Sequence, residues 1–303
     1  LMFPIIPANS AAGASGNQEG IFGFGAAPPT RTGVTNLVSN TGVVASDTAA
    51  VGTATTGRAA CEYGGDTAIF GFGDSGSVTG VTNLVSNTGV VASDTAGVGT
   101  ARAYPGACNY GGDRDKGIFG FGYDASPYLS ISSKVSNAGV VAADTAGVGT
   151  ARYVLTATEF GEDKGIFGFG HDGSNVGETN LVSNTGVVAS DTAAVGTARH
   201  VPAACGYGGD KGIFGFGNDA GGACDITNLV SNAGVVASDV TGVGTARGEL
   251  GATQYGGDKG IFGFGFGPIA TTNLVSNAGV VASDTAGVSG VLARAYIAAC
   301  SFN

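Results

Sequence analysis

Apolar residues along this chain fall in short runs separated by turn signals, not in helical stripes. The run "IFGFG" begins at Ile21, Ile69, Ile118, Ile166, Ile213 and Ile261, at intervals of 48, 49, 48, 47 and 48 residues. One unit reads "RHVPAACGYG" (199–208), "KGIFGFG" (211–217), "TNLVSN" (227–232) and "GVVASD" (234–239). Short alternating runs bounded by Gly, Asn and Asp predict strands, and no stretch carries the 3.6-residue period of a helix. Each unit therefore predicts four short antiparallel strands. The Asn-Thr-Gly or Asn-Ala-Gly between the last two supplies residues that tolerate the left-handed backbone of a tight hairpin.

A β-rich period of 40–50 residues is typical of propeller blades, with a β-solenoid as the alternative. The expected architecture is all-β: a six-bladed β-propeller with four antiparallel strands per blade. Because side chains alternate along a strand, Phe22 and Phe24 should point one way and Ile21, Gly23 and Gly25 the other. The Phe face of one blade could then press on the bare Gly face of its neighbour, a reason for glycine inside a strand. Phe22, Phe70, Phe119, Phe167, Phe214 and Phe262 are accordingly expected between blades. The chain ends in "ARAYIAACSFN", a first strand with no following "IFGFG", and begins with "NQEGIFGFG", which lacks a first strand. Closure is expected by the C-terminal strand joining the N-terminal blade. Residues 1–16 then form an apolar arm, and 17–303 a single propeller domain.

Composition narrows the partners. Glycine supplies 57 of 303 residues, well above the usual ~7%, yet no Gly-X-Y repeat runs through the chain. Charged residues make up 12%, about half the usual ~25%, which suits packing against other subunits. A net charge of −10 with scattered Lys and Arg disfavours nucleic acid, which needs clustered basic residues. No apolar run approaches the ~18 residues of a membrane-spanning helix, so no membrane insertion is expected.

The unit "TNLVSNTGVVASDTAAVGTARHVPAACGYGGDKGIFGFG" resembles a divergent kelch-type blade over residues 17–303. An Arg opens the first strand, at Arg102, Arg152, Arg199, Arg247 and Arg294. In the remaining unit Thr55 aligns with that position and Arg58 is out of register. The unit departs from kelch in having no Trp, and Gly-Phe-Gly where kelch has Gly-Gly. Such near-identical repeats are also similar to repeat proteins of environmental bacteria and tailed phages. Kelch-type folds include galactose oxidase, whose copper site uses two Tyr and two His. His171 and His200 would have to serve here, and they fall at unrelated points of the repeat.

Candidate chemistry is sparse. Cys61, Cys108, Cys205 and Cys300 share one repeat position with Thr158 and Thr253, which reads as a small buried slot; Cys224 lies in a loop. No Cys-x-x-Cys pair suggests zinc, so no metal and no cofactor are expected. Asp47, Asp94, Asp144, Asp191, Asp239 and Asp284 recur in all six units and read as turn caps or Asp–Arg ties. Asp66, Asp113 or Asp115, Asp163, Asp210 and Asp258 sit in "YGGDK"-type turns. The loop after "IFGFG" varies between units, and its face carries Tyr123, Tyr128, His171, Pro28 and Pro29. Binding is expected there, at Tyr123, Tyr128 and His171. The functional expectation is a non-catalytic structural or adhesive module of an extracellular or virion-associated assembly, whose partners are other protein subunits. A multivalent carbohydrate-binding propeller is the alternative, with glycans as partners; a galactose-oxidase-type oxidoreductase ranks last.

Overall fold

The computed structural model describes residues 18–125, 128–267, 269–287 and 289–302. The expected arm at 1–16 lies outside them. The chain is all-β, with one short 3-10 turn at Gly112–Arg114 and no α-helix among the described residues. Each repeat folds into a three-stranded antiparallel sheet. In sheet 2, Ala59–Tyr63 pairs with Thr67–Gly71, which pairs with Thr82–Val85. Sheets 3 to 6 follow the same order, starting at Gly106–Tyr110, Thr156–Phe160, Ala203–Tyr207 and Gly251–Tyr255. Sheet 1 takes its first strand from the far end of the sequence. Ala298–Phe302 pairs with Glu19–Gly23, with Cys300 opposite Ile21, and Thr35–Val38 completes the sheet.

Three regular strands form where four were expected. The segment "GVVASD" folds back through isolated bridges, Val230 to Val236 and Thr227 to Val240 in sheet 5. The reason is a side chain: Asn228 Nδ2 donates to the Ala237 carbonyl and to Asp239. That competes with a continuous ladder, as Asn side chains do at turns. The hairpin itself forms as expected, with Gly42 at φ 80° and Ser39 Oγ accepting the Val43 N–H.

The expected packing of phenylalanine on glycine is present between sheets. A Cβ added at Gly23, Gly71, Gly120, Gly168, Gly215 or Gly263 would lie 2.7–2.9 Å from Cζ of Phe70, Phe119, Phe167, Phe214, Phe262 or Phe22, respectively. All six of these phenylalanines are fully buried. The first glycine of "KGIFG" is equally tight: added Cβ atoms at Gly117, Gly165 and Gly260 would strike Cys61, Cys108 and Cys205, and at Gly20 and Gly212 they would strike Thr253 and Thr158. The repeated Cys/Thr position is thus a small buried slot, and all five cysteines are free thiols.

The two phenylalanines of each motif, however, do not share a face. The second one, at Phe24, Phe72, Phe121, Phe169, Phe216 and Phe264, has φ between 61° and 66°. That left-handed residue reverses the alternation. Phe22 therefore meets Phe264 of sheet 6 and Phe24 meets Phe70 of sheet 2, both at 5.1 Å. A non-glycine residue there costs roughly 1–2 kcal/mol. Burying a Phe ring contributes roughly 1.5–3 kcal/mol, and a cation over its face adds more.

That cation is the repeated arginine. Guanidinium carbons of Arg58, Arg102, Arg152, Arg199, Arg247 and Arg294 lie 3.9–4.5 Å from the ring centres of Phe24, Phe72, Phe121, Phe169, Phe216 and Phe264. Each ring belongs to the preceding sheet. Within its own sheet Arg199 donates to the Phe216 carbonyl, to the Thr197 carbonyl and to Asn228 Oδ1. Asn228 in turn donates to Asp239, which also accepts from Thr197. Burial pulls all six arginine pKa values from 12.5 to about 10, so they stay charged at neutral pH. Arg102 faces Asp144 at 3.4 Å and Arg152 faces Asp191 at 3.6 Å. In these Asp–Arg ties the aspartate lies downstream of its arginine, in the same sheet.

Arg58 takes the sixth place from an unexpected register. Thr55 holds the backbone position, its carbonyl accepting the Gly25 N–H as Arg294 accepts that of Gly265. The guanidinium arrives from three residues later and reaches Asn83. Its Nε and Nη2 find no partner among the described residues.

Two outcomes test this packing. Gly168→Ala, at ordinary φ and with a Cβ 2.8 Å from Phe214 Cζ, is expected to cost about 1–3 kcal/mol by overpacking; an unchanged urea midpoint would contradict it. For Asp94, Asp144, Asp191, Asp239 and Asp284, burial pushes the carboxyl up, but hydrogen bonds from Thr and from Asn or Ser outweigh it and leave each pKa below 3.8. Depressed folded pKa values give stability that is present above the unfolded value and lost as pH falls through the folded ones. Tm measured by calorimetry is expected to drop below about pH 4, and a Tm that rises there would contradict it.

Candidate functional site

The first strands of all six sheets line one cavity of about 110 Å³, including Ala59, Gly106, Thr156, Ala203, Gly251 and Ala298. At one mouth the chain enters each first strand through a left-handed residue: Gly57, Tyr104, Val154, Val201, Glu249 and Tyr296, with φ of 48–63°. A belt of backbone bonds joins them. The N–H groups of Tyr104, Val154, Val201, Glu249 and Tyr296 donate to the carbonyls of Gly57, Tyr104, Val154, Val201 and Glu249. Glycine at 57 makes room for a ring, since a Cβ there would lie 2.5 Å from Tyr104 Cδ1.

Beside this mouth the repeat gives way to aromatic residues. Tyr128 and Tyr153 stack at 4.8 Å with 15° between their planes. Tyr123 lies 5.6 Å from Tyr153, and His171 lies 5.7 Å from it. Tyr104 bridges Tyr153 and Tyr296, at 6.1 and 5.4 Å. His171 meets His200 at 5.8 Å. All are partly exposed. The structure thus gathers Tyr123, Tyr128 and His171, and adds Tyr104, Tyr153, His200 and Tyr296. Pro28 and Pro29 occupy the exposed turn between Ala26–Ala27 and Thr30–Arg31 of sheet 1. The signal for Tyr153 and His200 was available: they directly follow the repeated Arg, where other units have Ala103, Gly248 and Ala295. The histidines meet although their repeat positions differ, because Tyr153 bridges to His171 and His200 bridges to Asn218 in neighbouring sheets.

Hydrogen bonds fix both imidazoles. His171 Nδ1 accepts the Gly173 N–H, so its proton sits on Nε2. Asn175 Nδ2 donates to the Asn218 carbonyl, which turns Oδ1 toward His200 Nδ1 at 2.7 Å. His200 therefore carries its proton on Nδ1 and offers Nε2 as an acceptor. Burial, and then His171, lower the His200 pKa below 6.5. Only one of the two thus presents a lone pair suited to a metal. Among the described residues no three His, Cys, Asp or Glu side chains cluster as metal ligands.

The opposite end of the first strands is polar. The fourth residue of each is Glu62, Asn109, Glu159, Gly206, Gln254 or Ser301, and these border a second cavity of about 40 Å³. Asn109 donates to Glu62. Sheet 3 alone carries "YGGDRDK", two residues longer than "YGGDK". Arg114 from that insertion donates to Gln254 Oε1 and to the Gly209 carbonyl at 3.1 Å. Burial raises the Glu62 pKa and Glu159 adds to it, while Arg114 and Ser301 pull it down. The aspartate and lysine of the neighbouring turns pair at the surface, as Asp210 with Lys211 at 2.7 Å; such exposed pairs contribute little.

No protein-family model matches the chain, and no curated protein matches it. Among the described residues no helix is long and apolar enough to cross a membrane.

Arg114→Met is expected to destabilise at pH 7 by about 1–3 kcal/mol, leaving buried polar groups without their partner. Glu62 sets the sign of the pH dependence: its raised pKa sheds stability as pH rises through that value. The penalty should therefore shrink between pH 7 and a lower pH at which the carboxyl takes a proton. A penalty that grows on acidification, read from urea titrations at both pH values, would refute this account.

Proposed function

We propose that the chain is a six-bladed β-propeller, three regular strands per blade, closed where the C-terminal strand completes the first blade. It serves as a non-catalytic structural or adhesive binding module of an extracellular or virion-associated assembly. Closure is supported by the pairing of Ala298–Phe302 with Glu19–Gly23 and by Phe22 lying on Gly263. Packing beside other subunits is supported by Val43, Val90, Val140, Val187, Val235 and Val280, which repeat at the hairpin tips with 60–65% exposure.

The observation that carries the binding reading is the Tyr128–Tyr153 patch. Elsewhere the repeated phenylalanines and arginines are committed to junctions between sheets, with buried Arg on buried Phe. Here the repeat departs from its pattern to place rings at the surface, and surface aromatic residues with a polar tip are typical binding anchors. Purified chain and a Tyr128→Ser/Tyr153→Ser variant would be applied to arrays of immobilised proteins and glycans. Saturable binding that the variant loses is expected; equal binding by both would overturn this reading.

A further inference from the structure

We infer that the patch built from Tyr128, Tyr153, His171 and His200 is a single binding site for an uncharged pyranose sugar, the terminal unit of a glycan. The inference rests on the reading of the chain as a binding module and names its ligand class.

Three features select that class. The first is the shelf. Tyr128 and Tyr153 are stacked on each other and extend through Tyr104 to Tyr296 in edge-to-face steps. A partly exposed aromatic shelf accepts the flat C–H face of a sugar ring. It does not enclose an ammonium group, because the two best-placed faces are turned to each other instead of being opposed across a gap.

The second is the hydrogen-bonding rim. His171 presents an Nε2–H donor and His200 an Nε2 acceptor, each fixed by the bond at its other nitrogen. A hydroxyl both donates and accepts, so two neighbouring hydroxyls satisfy this pair. An ionised carboxylate, acceptor-only, would satisfy His171 and leave the His200 lone pair facing it.

The third is charge. The chain carries −10 overall, and the loop beside the patch contributes Asp172 rather than a lysine or arginine. An anionic ligand would meet repulsion, since Arg31, whose charge acts on Tyr104 of the shelf, is already paired with Asp74 at 2.9 Å.

The site occurs once per chain. Tyr153 and His200 are replaced by Ala or Gly at the same point of the units containing Arg102, Arg247 and Arg294. Sixfold valency is therefore not expected, and avidity would come from assembly of several chains.

The chain has two histidines, both in the site, so their imidazole C–H signals in NMR report it directly. Methyl glycosides of glucose, galactose, mannose and N-acetylglucosamine would be titrated separately, with choline and inorganic phosphate as charged probes. Saturable shifts of both histidines with at least one glycoside, at one site per chain, are expected. Choline and phosphate should leave them unmoved. Tyr153→Ala and His200→Phe are each expected to weaken the affinity about tenfold or more, with folding checked by the shifted methyl signals of the core. A glycoside titration in which neither histidine moves would overturn the sugar assignment. If array binding is still lost with Tyr128→Ser/Tyr153→Ser, the binding reading stands and only the ligand class fails. Saturable shifts with choline or phosphate instead would reassign the class and equally overturn it. Shifts unchanged in both single variants would place the sugar elsewhere and overturn the site.

Discussion

The fold depends on six charged groups held out of water. A buried guanidinium is expensive unless its donors are satisfied and its charge is compensated. Here each arginine lies on a phenylalanine ring of one sheet while its donors bind the next, so one side chain fastens two sheets. Arg152, Arg199, Arg247 and Arg294 each reach a Phe carbonyl, the carbonyl two residues earlier and an Asn. The Asn passes the interaction to an Asp at the partly exposed rim. Charge compensation thus sits at the boundary with solvent, where a carboxylate costs less to keep ionised. The unusual backbone of "GFG" follows from the same constraint, since a second Phe in ordinary strand geometry would share the first one's face and leave the cation uncovered.

Much of this was legible in the repeat and some was not. Phe opposite Gly follows from strand alternation plus the need for a close approach, and the contacts of Gly23, Gly71, Gly120, Gly168, Gly215 and Gly263 agree with it. Alternation failed at Phe24 and its equivalents because a left-handed residue leaves no trace in an apolar pattern. The fourth strand failed because Asn228 and its equivalents compete for carbonyls that a ladder would use. The recurring Asn of "TNLV", replaced only by Ser133, was a visible sign of that network. Of the patch, Tyr123, Tyr128 and His171 were found because loops that vary advertise themselves. Tyr153 was overlooked because it sits beside the most regular residue of the unit, and His200, weighed only as a copper ligand, was set aside because its repeat position differs from that of His171.

Departures from the repeat concentrate at the two ends of the first strands. At one end, Gly57 admits the Tyr104 ring and the residues after the arginines become Tyr and His. At the other, two inserted residues bring Arg114 across to Gln254 and Gly209. The six sheets supply a nearly uniform frame, and, Arg58 and Ser133 apart, individuality falls at positions that the frame does not need. This division permits new side chains at the mouths without disturbing an Arg–Phe junction.

The backbone belt at the aromatic mouth has its own consequence. Its five bonds run from Gly57 to Tyr296, and among the described residues no sixth bond joins those ends. The gap falls between sheets 1 and 2, where Arg58 also leaves two nitrogens unpaired. The assembly of sheets thus has a seam, next to the sheet that holds the two ends of the chain together. At this seam Arg31 of sheet 1 pairs with Asp74, which follows the middle strand of sheet 2, at 2.9 Å, so the junction that lacks the backbone bond is spanned by an exposed ion pair, whose grip salt weakens.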